Sequence, residues 1–180
     1  YLDYCKRYVA GELPIEALHA FATASLLPSQ PQQLHTCQAR FAAYLSTRIS
    51  STARRLVDAS RDAGLCAIVT ATNECIAKPA AAAFGVEHLV ATRVRFSDEG
   101  PPSMQAPPCH GAEKIARVAH WLVALNRHWS DFSEIHFFSD SSSDLPLLQR
   151  ATHPVAVHPD PALREYAQQQ GWHIRDDMYP

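Results

Sequence analysis

The hydrophobic positions along this chain change rhythm near residue 50. Ahead of that point they recur at helical intervals, and proline and glycine mark the joints. The pattern predicts a helix over residues 2–9 that Gly11 stops. A second starts at Pro14, where a missing N–H costs little, and runs over 15–26. Pro28 and Pro31 break the chain again, and a third helix is expected over 33–45. Beyond residue 50, short apolar runs alternate with amphipathic stretches. Ala53, Leu56, Val57 and Ser60 share one helical face, with Ser51 or Thr52 as N-cap and Gly64 as the stop. The run Leu65-Cys66-Ala67-Ile68-Val69 lacks alternation, as a parallel strand covered on both faces does. A helix over 74–84 follows, restarted or kinked at Pro79 and ended by Gly85, then a strand-like stretch over 88–96 and a Gly/Pro-rich loop or hairpin over 97–108. Residues 111–126 give the clearest helix, with Ile115, Val118, Ala119 and Leu122 as its apolar stripe. The remaining chain reads as strand 135–138, helix 146–150, strand 154–157, helix 161–170 and strand 172–174. Alternating strands and helices imply an α/β fold with parallel pairing.

Composition narrows the class of partner. The 180 residues suffice for one α/β domain with a modest appendage. Hydrophobic residues make up 47% and charged residues 19%, as in ordinary globular proteins, and a net charge of −2 offers no surface for nucleic acid or anionic lipid. No apolar run reaches the roughly 20 residues of a membrane helix, and no signal-peptide pattern opens the chain. Five cysteines (Cys5, Cys37, Cys66, Cys75, Cys109) form an odd set without paired spacing, which predicts reduced thiols in a cytoplasmic protein. The chain opens Tyr1-Leu2-Asp3 without an initiator methionine, and its only methionines are Met104 and Met178, so truncation upstream is expected.

Three places combine a strand end or helix start with chemistry-bearing residues. In Val69-Thr70-Ala71-Thr72-Asn73, the Thr70 hydroxyl and the turn's N–H groups could hold a phosphate oxygen; Thr and Asn also suit a helix cap. In Gly111-Ala112-Glu113-Lys114, a lysine stands in the first turn of a helix, where it opposes the helix dipole. It is either a solvated side chain or a counter-charge to a bound anion. In Phe138-Ser139-Asp140-Ser141-Ser142-Ser143-Asp144, two carboxylates leave a buried strand in a loop of small residues, a setting of hard oxygens that suits magnesium. The alternative is a polar loop in which Asp144 caps the next helix.

In this order the three motifs resemble the second, third and fourth motifs of the haloacid dehalogenase superfamily, and most closely its phosphoserine-phosphatase-like branch. Leu145-Pro146-Leu147-Leu148 after the fourth motif, Ile68 to Asn73, and the ending Pro154-Val155-Ala156-Val157-His158-Pro159-Asp160-Pro161 with Gly171-Trp172 resemble that branch as well. The resemblance implies a three-layer, Rossmann-like parallel sheet (residues 51–180) with a partial helical cap (residues 1–50) inserted between the first and second motifs. It implies an Mg²⁺-dependent phosphomonoester hydrolase acting on a small phosphorylated metabolite through an aspartyl-phosphate. Thr70 and the Ala71 backbone would bind the phosphoryl group, Lys114 would balance the charge of nucleophile and phosphate, Asp140 would ligate the metal, and Asp144 would join it there or orient that ligand, its water or Lys114. The family's first motif, DxDx[TV], supplies the nucleophile and the general acid–base. No Asp-x-Asp occurs in the 180 residues, and Asp3 has no apolar strand before it. The first core strand is therefore expected upstream, with the chain by itself inactive. The alternative is a catalytically inactive fragment or pseudoenzyme that binds a phosphorylated ligand or partner. Phosphoserine, histidinol phosphate and lipid-linked phosphates all stay open as substrates.

Two departures from the branch stand out: Ser143 where asparagine is common, and Ala112 where glycine is common. Ten histidines show no HxxxH and the cysteines no Cys-x-x-Cys, so local spacing offers no zinc site. Cys109-His110 could face the cleft, and Arg48 could reach an anionic group or stay solvated at a helix end.

Overall fold

A computed structural model describes residues 2–24, 31–97, 100–105 and 107–178. In chain order the elements are α1 (Leu2–Val9), α2 (Ile15–Ala24), α3 (Pro31–Ser46), α4 (Ser51–Ala63), β1 (Ala67–Asn73), α5 (Glu74–Phe84), β2 (His88–Thr92), β3 (Val94–Ser97), β4 (Gly100–Met104), α6 (Glu113–Ala124), β5 (His136–Ser139), α7 (Leu145–Leu148), β6 (His153–Val157), α8 (Pro161–Gln170) and β7 (His173–Arg175). The expected α/β class holds: β1 pairs parallel with β2, and β5, β6 and β7 form a parallel sheet in that order. The stretch expected as one strand over 88–96 divides into β2 and β3, and β3 pairs antiparallel with β4, so the hairpin begins earlier than expected. The expected breaks at Pro28 and at the end of α2 near Leu26 lie outside the described residues.

The chain divides into two compact units. The first comprises residues 1–48 and 66–109, the second residues 49–65 and 110–180. In the first, α3 packs on α5, and α2 lies against β4 and β1. The stretch around Pro79 stays one continuous helix rather than restarting. A proline at this position deprives the carbonyl four residues earlier, that of Cys75, of its helical donor. The Gln38 side-chain amide of α3 donates to that carbonyl at 2.9 Å, so α3 repairs the helix that it packs against. Asn73 caps α5 by accepting from the Ile76 N–H at 3.1 Å, and Gly85 closes it in the left-handed region at φ +66°.

In the second unit, Leu148, Ala156, Leu163 and Ala167 are fully inaccessible, and Phe137, Leu145, Trp172 and Ile174 pack around them. Burying each of the two leucines contributes about 1.5–3 kcal/mol. The helix α8 is bounded by the Asp160 cap, Pro161 in its first turn and Gly171 in the left-handed region. The N-cap of α4 is Ser50, not Ser51 or Thr52. Its hydroxyl oxygen accepts from the Ala53 N–H at 3.0 Å and donates to the Met178 carbonyl at 2.6 Å, a long-range partner that the neighbouring hydroxyls do not have. No helix among the described residues is long and apolar enough to cross a membrane.

Candidate active site

Thr70 belongs to the first unit. The regular ladder between β1 and β2 runs from Ala67–His88 to Val69–Val90 and resumes only at Asn73–Thr92. Thr70, Ala71 and Thr72 therefore leave the ladder, which frees backbone groups on a strand that would otherwise spend them on pairing. Thr70 Oγ1 accepts from the Thr72 N–H at 3.1 Å, tightening the turn while its own proton remains to donate. The capping role falls to Asn73 alone. Behind the turn, the fully buried Thr92 hydroxyl donates to the Ala71 carbonyl at 2.7 Å and accepts from the Cys109 N–H at 3.0 Å. Cys109 is likewise inaccessible, with its thiol 3.7 Å from the Val90 carbonyl, so it supports the turn rather than exposing a nucleophile. Arg48, exposed at the end of α3, lies over the Tyr44 ring at 5.3 Å.

Lys114, Asp140 and Asp144 belong to the second unit. Lys114 does not point to solvent. It lines up with Val118 and Leu122 on the buried face of α6, at 5% exposure. Its ammonium reaches Asp144 Oδ1 at 2.6 Å, with both side chains almost wholly buried. The contact is one of charge with charge rather than an aligned hydrogen bond. Asp144 Oδ2 accepts from the Ser139 hydroxyl at 2.7 Å. Asp144 makes no side-chain cap to α7, so the capping alternative fails in its simple form. Gly111 takes the left-handed conformation at φ +55° while Ala112 sits in ordinary helical space, so the alanine costs this turn nothing.

Asp140 follows β5 directly, at the carboxyl end of a parallel strand, where open α/β sheets bind ligands. Its carboxylate is exposed and makes no hydrogen bond or ion pair with the described residues. This unengaged hard-oxygen donor, on a loop built of serines, fits a magnesium ligand. Asp144 has both oxygens committed, so binding a metal directly would require it to give up Lys114 or Ser139. The loop is further held by Ser141, whose hydroxyl caps the short 3₁₀ turn Ser142–Asp144 and lies 2.9 Å from the Ser143 hydroxyl.

Asp160 is the residue that sequence reasoning did not single out. Its backbone N–H donates to the Asp140 carbonyl at 2.8 Å. Its Oδ2 accepts from the Ser142 N–H at 2.6 Å, and its Oδ1 from the Leu163 N–H at 2.8 Å. One aspartate thus caps α8 and grips the Asp140 loop on both sides. Partial burial pushes its carboxyl up, but the hydrogen bonds from Ser142 and Leu163 outweigh that and hold it below its ordinary value. The Asp-Pro pair signals a helix start; the contact to Ser142, 18 residues away, has no local signal.

Comparison with known proteins gives the family of the chain. The family model for haloacid dehalogenase-like hydrolase matches residues 6–149. The chain is 30% identical over 175 residues to a histidinol-phosphatase of Neisseria meningitidis serogroup C (strain 8013), covering 95% of this chain and 79% of the relative. It is also 30% identical over 129 residues to an inhibition of morphological differentiation protein of Streptomyces azureus, covering 71% of this chain and 46% of that one. Among solved structures, a protein of unknown function from Bordetella pertussis Tohama I superposes with a TM-score of 0.89 at 36% identity, over 97% of this chain and 79% of that one. A substrate-bound phosphoserine phosphatase superposes at 0.63 with 13% identity, over 98% and 79%, a likeness of fold alone. The chain belongs to the haloacid dehalogenase-like hydrolase family.

Proposed function

We propose that the protein is a magnesium-dependent phosphatase of small phosphomonoesters, acting through an aspartyl-phosphate. The observation that supports this most is the buried Lys114–Asp144 pair beneath a loop that presents the free carboxylate of Asp140. Burying an ammonium is costly, and a single carboxylate partner leaves its remaining N–H donors to answer an anion. Asp140 would ligate the metal, with Asp144 holding Lys114 and Ser139 in place. When bound, Mg²⁺ would supply Lewis-acid neutralisation of phosphoryl charge.

The chain's own residues would do the rest. The Thr70 hydroxyl donates to a phosphoryl oxygen, and the Ala71 N–H adds a second contact. Lys114 offsets the combined negative charge of phosphate and nucleophile, and so lowers the cost of bringing them together. Asp160 keeps the Asp140 loop from collapsing when charge accumulates. The nucleophile and the acid–base of the family's DxDx[TV] motif are not among these 180 residues, and we assign them to sequence upstream. In this reading residues 1–50 form the cap that admits substrate, and residues 51–180 the hydrolase core. The division is one of chain segments rather than of compact units. Histidinol phosphate is the first substrate to try, because a relative bearing that activity in its name aligns with 95% of the chain. The missing Asp-x-Asp favours one rival, a pseudoenzyme that binds a phosphorylated ligand without turning it over.

Phosphate release with Mg²⁺, measured on histidinol phosphate, phosphoserine and a lipid-linked phosphate, separates the two. The comparison is between this chain, a form extended upstream through a DxDx[TV] segment, and Asp140→Ala in that form. Turnover confined to the extended form and lost in Asp140→Ala supports the phosphatase. An extended form that binds phosphomonoester without hydrolysing any makes the protein a pseudoenzyme.

A further inference from the structure

The amino end of the sheet in the second unit carries chemistry that phosphate hydrolysis does not use. His136 opens β5 and His153 opens β6, and the two are direct partners in the parallel register. Their rings stack with centroids 4.4 Å apart and planes 9° from parallel. Glu134, just ahead of β5, holds Oε2 3.4 Å from His136 Nε2. One ligand atom from each of these three residues lies within 4.8 Å of the other two, and all three side chains are exposed. His173 opens the neighbouring β7, and with His136 and His153 it lines a concavity of about 570 Å³.

The hydrogen bonds at this end accommodate the tautomer that a metal needs. The Thr152 hydroxyl accepts from the Ile135 N–H at 2.7 Å and lies 3.3 Å from the Ile135 carbonyl, to which it donates. With that proton on the Ile135 carbonyl, the contact of 2.9 Å to His153 Nδ1 accommodates Nδ1–H donating to the hydroxyl oxygen. In that tautomer the lone pair of His153 is on Nε2, the state a metal requires, and Thr152 supplies the outer hydrogen bond that metal-bound imidazoles ordinarily make.

We propose that Glu134, His136 and His153 form a binding site for a borderline-soft divalent cation, zinc first among them. Two imidazoles and one carboxylate are a ligand set that zinc takes, and imidazole donors disfavour magnesium and calcium. Ligand atoms on one zinc ion stand roughly 3–3.5 Å apart, so the exposed rings need only tilt out of their parallel stack to converge. The ion clamps β5 to β6 at the end of the sheet opposite the Asp140 loop, with its remaining positions open to water. The site escapes any sequence pattern because its ligands come from the starts of two strands 17 residues apart.

The test is calorimetric titration of the protein with zinc chloride, in saturating Mg²⁺ and with accessible thiols alkylated, since Cys37 is exposed. One saturable equivalent is expected for the unaltered protein and for Asp140→Asn. His153→Ala and His136→Ala abolish it, with their metal-free melting temperatures confirming that they fold. Thr152→Val weakens it by about 10–100-fold, as loss of an outer hydrogen bond to a metal-bound histidine does, and Thr152→Ser restores it. Saturable binding that survives both histidine substitutions, binding lost in Asp140→Asn, or no saturable binding at all overturns the proposal.

Discussion

The two ends of the β5–β6–β7 sheet are made from the same three strands and behave as different materials. At the carboxyl end, Ser139, Ser141, Asp144, Lys114 and Asp160 join in a dense network that is largely buried and committed, while the Asp140 carboxylate is unengaged among the described residues. At the amino end, Glu134, His136, His153 and His173 stand in solvent, loosely tied by ring stacking, one hydroxyl and the contact between Glu134 and His136. Parallel strands account for the contrast. Their carboxyl ends run into helix starts, whose N–H groups and capping carboxylates converge on one place. Their amino ends offer only side chains. Geometry at the first end is held by the fold, whereas at the second it can be completed by a ligand.

That contrast is most exposed to failure at Asp144. Its replacement by alanine leaves the Lys114 ammonium buried without a partner, and urea unfolding should show a loss of about 3–5 kcal/mol. Replacing both, as Lys114→Met with Asp144→Leu, should recover part of that stability while removing any activity. A loss under 1 kcal/mol for Asp144→Ala would mean that water reaches the pair and that the carboxyl end is no more committed than the other.

A smaller effect is expected at Asp160. Asp160→Ala removes the cap of α8 and the acceptor for Ser142, and should cost about 0.5–2 kcal/mol. The folded carboxyl titrates below its unfolded value of about 3.9, so its stabilisation is complete above that pH and is lost as pH falls through the folded value. The stability gap between the unaltered protein and Asp160→Ala should therefore narrow below about pH 4 in acid titrations followed by circular dichroism. A gap that does not change with pH would show that the carboxylate charge plays no part in holding the loop.

The smallest effect belongs to the amino end. In the absence of added metal, His153→Ala removes an exposed ring and should change the unfolding free energy by less than about 0.5 kcal/mol. A cost of 1–2 kcal/mol would mean that the stacked pair is structural in its own right and would blunt the distinction between the two ends.

Much of this was legible from residue patterns. The 3.6-residue stripe of Val118 and Leu122 foretold α6, the unbroken apolar runs foretold β1 and β5, and Gly85 marked a helix end where it was expected. The approximate places of Thr70, Lys114, Asp140 and Asp144 on strand ends and helix starts were legible as well. Errors gathered where a partner far along the chain decided the outcome. Ser50 rather than Ser51 caps α4 because Met178 receives its proton. The helix does not restart at Pro79 because Gln38 answers the carbonyl that proline orphans. Lys114, open in the sequence as a solvated side chain or a counter-charge, was no error: it is buried because Asp144, 30 residues away, offsets its charge.

By itself the sequence determined the α/β class, the order of elements, the family and the kinds of side chain available for chemistry. These follow from local periodicity, capping and short motifs, which act over a few residues. Only the tertiary structure decided that Asp144 commits both oxygens, that Asp160 grips the Asp140 loop, and that two histidines from separate strands meet in register. Each of these depends on distances between residues that the chain keeps far apart, and on burial, which alone turns a lysine in a first turn from a solvated cation into a fixed charge.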